Sequence, residues 1–135
     1  MRITLSVAAL FFLFGAAALA GDGVEANGKY IWVDKGKKRD EGLLKAVFTP
    51  DGDNKWKVTF YFAWKKKKHV YKGTATGSLK NGAIAGEVKS DDKKPRTFAF
   101  SGNAANGEMT GKHWEIRVRK GKRRETPTGT FTLSL

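Results

Sequence analysis

The chain has 135 residues, no Cys, and 26 Lys/Arg against 13 Asp/Glu, a formal charge of +13. The absence of Cys excludes a disulfide framework, thiol chemistry and cysteine-held metals, and two His leave little material for a metal or acid–base centre. A charge this large favours anionic partners and repels cationic ones.

The first element is a leader. Met1-Arg2 is followed by an uncharged apolar run, Ile3 to Ala20, ending in Ala18-Leu19-Ala20. That is the pattern of a secretory signal peptide with cleavage after Ala20, so the protein is expected to be secreted or periplasmic. A stretch of this length could also span a bilayer, but its small residues before Gly21 suit a peptidase better than a stop-transfer helix. Residues 21–135 then form one domain, with 25 Lys/Arg against 13 Asp/Glu and no further segment able to cross a membrane.

Eight strands are predicted over residues 29–33, 43–49, 55–65, 70–79, 83–89, 96–102, 108–120 and 129–135. No stretch between them holds a helical period. The helix-like "DEGLLKAVF" contains Gly42 and runs into β-branched residues and Pro50. In the third strand Trp56, Val58, Phe60, Phe62 and Trp64 alternate with Lys57, Thr59 and Lys65, so one face is aromatic and the other polar. Pairing Trp64 with Tyr71 would set Phe62 against Gly73, Phe60 against Ala75 and Val58 against Gly77. Large side chains opposite small ones are how a narrow barrel interior fills.

Two near-copies, "TGSLKNGAIAG" (76–86) and "SGNAANGEMTG" (101–111), read as hairpins closed by Asn81-Gly82 and Asn106-Gly107. These registers pair Gly77 with Gly86 and Gly102 with Gly111, leaving room for the third-strand aromatics. In the seventh strand, "GKHWEIRVRK", continuing the hairpin register turns His113, Glu115 and Arg117 inward. A β-bulge near Gly111–His113 would instead bury Trp114, Ile116 and Val118, and the hydrophobic pattern favours the bulge.

The fold class expected is all-β, an eight-stranded antiparallel up-and-down barrel. Outward residues such as Lys57, Thr59, Lys72, Thr74 and Thr76 are too polar to face lipid. With its "GTATG" (73–77) and its "NGAIAG" (81–86) hairpin, the pattern resembles small secreted barrels of the lipocalin and avidin type. It is also similar to secreted bacterial proteins with repeated GTxTG and NGxxxG hairpins. Gly28-Lys29-Tyr30 approximates the Gly-x-Trp that opens lipocalins. The resemblance implies fold and secretion; it transfers no ligand.

In a meander alternate loops share an end. The first, third, fifth and seventh loops gather Lys35, Lys37, Lys38, Arg39, Lys65, Lys66, Lys67, Lys68, Lys93, Lys94, Arg96, Lys120, Lys122, Arg123 and Arg124, against six acids. The other end is nearly neutral. Trp32 and Trp64 end their strands at the basic rim and could stack on sugars or bases, although Trp in small barrels is more often core.

These features predict a non-catalytic binding protein that engages an anionic polymer or surface through the basic rim: acidic polysaccharide, lipopolysaccharide or anionic lipid. Nucleic acid binding would be non-specific and salt-dependent, because no base-reading motif is present. One alternative is a small-molecule carrier with a lumen site of Tyr71, Phe98, His113, Glu115 and Arg117, where Glu115 would orient His113 and Arg117 would hold an anion. That alternative requires an open interior; filled aromatic–glycine layers would exclude it. The other is an envelope-associated structural protein without a defined ligand. Neither a cofactor nor a metal is expected, and nothing in the sequence sets an oligomeric state.

Overall fold

The computed structural model describes residues 23–135; the predicted signal peptide lies outside them. Eight strands follow in order: β1 (Val24–Asp34), β2 (Lys37–Pro50), β3 (Lys55–Trp64), β4 (Lys67–Gly77), β5 (Gly82–Ser90), β6 (Thr97–Ala105), β7 (Glu108–Arg119) and β8 (Lys122–Ser134). Each pairs antiparallel with the next, and β1 also pairs with β8, closing a meander barrel. The predicted fold class is therefore correct, including the strand number.

The lower half of the barrel is packed solid. Phe48, Ile84, Met109, Leu133 and Val58 are fully buried there. An edge-to-face series of rings, Phe48–Phe60–Phe100–Phe131, crosses the interior with centroid separations of 6.4, 5.2 and 6.2 Å. Such contacts add to area burial because each ring edge meets a neighbour's electron-rich face. The base is plugged by Leu79, folded in from the loop between β4 and β5. Trp56 joins it, its indole N–H donating to the Gly77 carbonyl at 3.0 Å.

That plug corrects the first hairpin. The loop is not the two residues Asn81-Gly82 but the stretch Ser78 to Asn81, with Gly77 opposite Ile84 and Gly86 opposite Ala75. Ser78 Oγ accepts from the backbone N–H of Lys80 and of Asn81, which holds the wider turn. Burying Leu79 outweighs the tighter Asn-Gly geometry. The second hairpin stands as predicted: Asn106 and Gly107 have φ of 54° and 80°, and Gly102 faces Gly111. The room made by that glycine pair goes to Phe131, however, and not to the β3 aromatics. A Cβ on Gly111 would sit 2.6 Å from the Phe131 ring.

The β3–β4 pairing also differs from expectation. Lys65 and Lys66 alone form the turn, so Phe60 faces Tyr71, Val58 faces Gly73 and Trp56 faces Ala75. Both lysines hold positive φ, 51° and 63°, which a type I′ turn demands and L-residues other than Gly, Asn and Asp resist. The large-to-small matching survives in this register at Val58/Gly73 and Trp56/Ala75.

The bulge in the β7 region falls on the other strand. The ladder between β6 and β7 is unbroken, with Phe100 opposite His113 and Phe98 opposite Glu115. The register instead shifts against β8, where Gly129 faces His113 and Pro127 faces Trp114, leaving Thr128 as the extra residue. His113 and Glu115 therefore face inward, while Trp114, Ile116 and Val118 take the outer phase. Hydrophobic pattern gave the wrong sign because Glu115 meets an arginine inside and Ile116 is still covered outside.

Two stability outcomes follow. Lys65→Asn with Lys66→Gly raises stability by about 1 kcal/mol by relieving the left-handed lysines, read as a higher urea midpoint. Gly111→Ala lowers it by about 2 kcal/mol through overpacking, because the added Cβ meets the Ser101 carbonyl oxygen at 2.3 Å as well as the Phe131 ring, read in the same titration.

Candidate functional site

The upper half of the barrel, at the end of the β1–β2, β3–β4, β5–β6 and β7–β8 loops, is open. A cavity of about 290 Å³ is lined by Tyr30, Trp32, Phe60, Phe62, Trp64, Tyr71, Phe98, Phe100 and Phe131, with His69, His113, Asp92 and Arg96. The predicted lumen residues Tyr71, Phe98 and His113 are thus brought together around an open space, and the aromatic and glycine layers do not fill the whole barrel. Trp32 and Trp64, predicted at the rim, are half-buried cavity walls with ring centroids 6.3 Å apart. Trp32 meets Phe98 edge-on at 5.8 Å, and Tyr71 meets Phe98 at 5.5 Å.

The predicted trio of Glu115, His113 and Arg117 is not what the strands assemble. Glu115 is 7% exposed and accepts two hydrogen bonds at 3.0 Å from Arg96, through Nε and Nη2. Arg117 reaches the same carboxylate from the solvent side at 3.4 Å and does not line the cavity. The Arg96 guanidinium lies 5.7 Å from the Trp32 ring and 5.2 Å from Phe98, so it also makes cation–π contacts. The backbone fixes its position. Ser90 N–H donates to the Arg96 carbonyl at 3.0 Å, and Ser90 Oγ accepts from Arg96 N–H at 2.9 Å, closing the neck of the β5–β6 loop. Hydrogen bonding to Arg96 holds the Glu115 carboxyl below its usual range, and the same bonds push Arg96 up. Arg96 therefore leaves the predicted crown and becomes part of the cavity wall.

His113 is held by different partners. A carbonyl can only accept, so Nε2–H donates to Ile31 O at 3.2 Å, and Nδ1 accepts from the Thr128 hydroxyl at 2.6 Å. Both ring nitrogens are thereby engaged, and burial pushes its pKa below the ordinary value. Gly129 makes the close approach available. A Cβ there would lie 1.8 Å from Ile31 O and 2.9 Å from His113 Nε2, and its φ is +145°.

Around this mouth stand the basic loops. Apart from Arg96, every predicted rim cation is exposed. Arg123 bonds Glu87 at 2.9 Å and Glu125 at 3.1 Å, and Lys38 pairs with Glu41. Two features escaped the sequence reading. The two-residue turns at this end are Lys35-Gly36, Lys65-Lys66 and Lys120-Gly121, so each puts a lysine at the first positive-φ position, where the base turn has Asn106. Beyond Thr97 and Gly129, β7 and β8 pair only with each other, as a ribbon spanning Arg117 to Arg124. On one face of it Arg117 stands opposite Arg124 and Arg119 opposite Lys122. Its other face turns toward the wall, since Arg123 reaches Glu87 on β5, and Ala99 and Ile116 are buried in the same region. Alternation along β7 could have revealed the ribbon's charge, but only the end points of the β6 and β1 ladders reveal that it projects.

No known protein family, curated protein or solved structure matches the chain significantly.

Two linked titrations are expected. A neutral buried His113 makes the folded state bind fewer protons than the unfolded state below the ordinary value of 6.5. Stability should therefore fall as pH drops through that region, and His113→Gln should flatten this part of the curve. Glu115 adds a second loss below its ordinary 4.5, because its folded value is lowered. Glu115→Gln should remove that one. Urea midpoints across pH check both.

Proposed function

We propose that the protein is a non-catalytic binding protein that engages an anionic polymer or surface through the basic end of the barrel, in a secreted or periplasmic setting. The observation that carries this reading is the ribbon face on which Arg117 opposes Arg124 and Arg119 opposes Lys122. Like charges directly opposite across a ladder are destabilising. Arg119, Lys122 and Arg124 have no ion pair among the described residues to offset that. A bound polyanion would supply the missing countercharge. Same-face residues recur about 7 Å apart along a strand and about 5 Å across it, so the four cations form a compact grid.

The lysine turns support the same reading. Solubility alone asks for charge anywhere on the surface, whereas Lys at a left-handed turn position carries charge at a conformational cost that Asn-Gly would avoid. Among anionic partners, an acidic polysaccharide is favoured. A membrane-surface anchor needs apolar residues beside its cations, and the ribbon offers only Val118, on the face opposite the four-cation grid. Single-strand nucleic acid binders stack bases on exposed rings, and the two rings at the mouth, Trp32 and Trp64, are half-buried walls of the cavity. The occupied nitrogens of His113 and the committed carboxylate of Glu115 support a role without acid–base chemistry. The closed meander is compatible with a lipocalin- or avidin-like barrel, and that likeness is one of architecture.

The test is elution from heparin-agarose in a salt gradient, with anionic vesicles as a second matrix. Neutralising Lys65–Lys68 together with Lys122–Arg124 should lower the eluting salt on heparin sharply and shrink the slope of log affinity against log salt. Equal retention of the two proteins would defeat the rim reading; stronger retention on vesicles would move the partner to a lipid surface.

A further inference from the structure

The basic end accounts for the loops and the ribbon, but not for the space beneath them. Protein interiors pack as densely as organic crystals, and the lower barrel does so, while the upper half leaves about 290 Å³ between aromatic walls. That volume lies near the low end for small-molecule sites. We propose that this cavity is a second binding site, independent of the rim, for a small, flat, uncharged ring compound bearing a hydrogen-bond-accepting oxygen.

Shape argues for a flat body. Trp32, Phe62, Trp64, Tyr71 and Phe98 present ring faces and edges around one space, a wall that gains most from another planar apolar group. Charge argues for a neutral one. The cations of the basic end would draw an anion toward the mouth, but the cavity's own charges are already balanced. Arg96 is committed to the Glu115 carboxylate by two hydrogen bonds, Asp92 stands at the same edge, and His113 is held neutral. An anion taken inside would meet Asp92 and lose its water without an uncommitted cation to replace it.

Hydrogen bonding argues for an acceptor. His69 stacks on Phe62 at 5.3 Å, and its Nε2 is buried without any partner. Neither the Trp32 nor the Trp64 indole N–H has a hydrogen-bond partner among the described residues. The wall thus holds two indole donors and an imidazole nitrogen without partners. A carbonyl or ether oxygen on the ligand would use them, since a buried polar group left unpaired is unfavourable.

The experiment compares two naphthalene dyes: 6-propionyl-2-(dimethylamino)naphthalene, which is uncharged and carries a carbonyl oxygen, and 8-anilino-1-naphthalenesulfonate, which is an anion. Both are titrated into the purified protein by fluorescence, with energy transfer from Trp as a second readout. The uncharged dye should bind at least tenfold more tightly than the sulfonate. Val88 is a buried β5 residue of the cavity lining; Val88→Phe, which fills the cavity from that wall, should weaken it at least tenfold, and circular dichroism reports whether that variant is folded. Trp64→Phe should reduce the transfer while leaving a bound dye, which locates the site even if Val88→Phe does not fold. Neutralising the rim lysines should leave the uncharged dye's affinity unchanged, so loss of heparin retention and loss of dye binding report on separate sites. Sulfonate binding as tight as or tighter than the neutral dye would overturn an uncharged ligand. Binding by neither dye, or binding that a folded Val88→Phe variant leaves intact, would overturn the site itself.

Discussion

Strand β8 has to satisfy two neighbours whose ladders end at different heights. It follows β1 from Ser134 up to Gly129, closing the barrel, and follows β7 all the way to Lys122. The extra residue Thr128 reconciles them. Below it Phe131 and Leu133 point into the core; above it the strand changes phase and parts from β1. The Thr128 hydroxyl and the Ile31 carbonyl then hold His113 across the break. A single inserted residue thus ends the wall, leaves the mouth open and releases the basic ribbon. Such bulges are characteristic of barrel rims because an unpaired residue bends its strand and increases the twist.

The same break divides the interior by chemistry. Below it, closure forces every second side chain inward, and only apolar groups tolerate that burial. The glycine pair Gly102/Gly111 is the price of fitting Phe131 beside its neighbours. Above it, inward-facing positions on β7 carry His113 and Glu115, which stay inside because each has full partners. Glu115 answers Arg96, and His113 answers Thr128 and Ile31. A buried ion pair of this kind is weak grounds for stability. It does fix the place of the Arg96 guanidinium against Trp32 and Phe98, and so the shape of the cavity neck.

Local preference and global arrangement agree nearly everywhere in this chain except at the basic end. There, lysines occupy left-handed turn positions and arginines face arginines or lysine across a ladder. Natural sequences are mostly free of such conflicts, and those that persist concentrate where binding requires them. As proposed, rim and cavity are neighbours with different demands, one for unpaired cations and one for balanced charge.

The all-β class, the eight strands, the meander and the clustering of basic loops were legible in the sequence, because alternation and turn residues are local signals. So was the Asn106-Gly107 hairpin with its facing glycines. Registers set by competition were not. Leu79 left its hairpin to plug the base, the Lys65-Lys66 turn overrode turn preference, and the bulge passed from β7 to β8. Nor could spacing show that Arg96 would desert the rim for Glu115, 19 residues away. Which residues alternate and where the chain turns are local properties of the sequence, since period and turn chemistry act over a few residues. Which face of β7 is inside, whether the lumen is open, and which cations stay unpaired were decided only by closure of the sheet, because each depends on how strands distant in sequence share one ring.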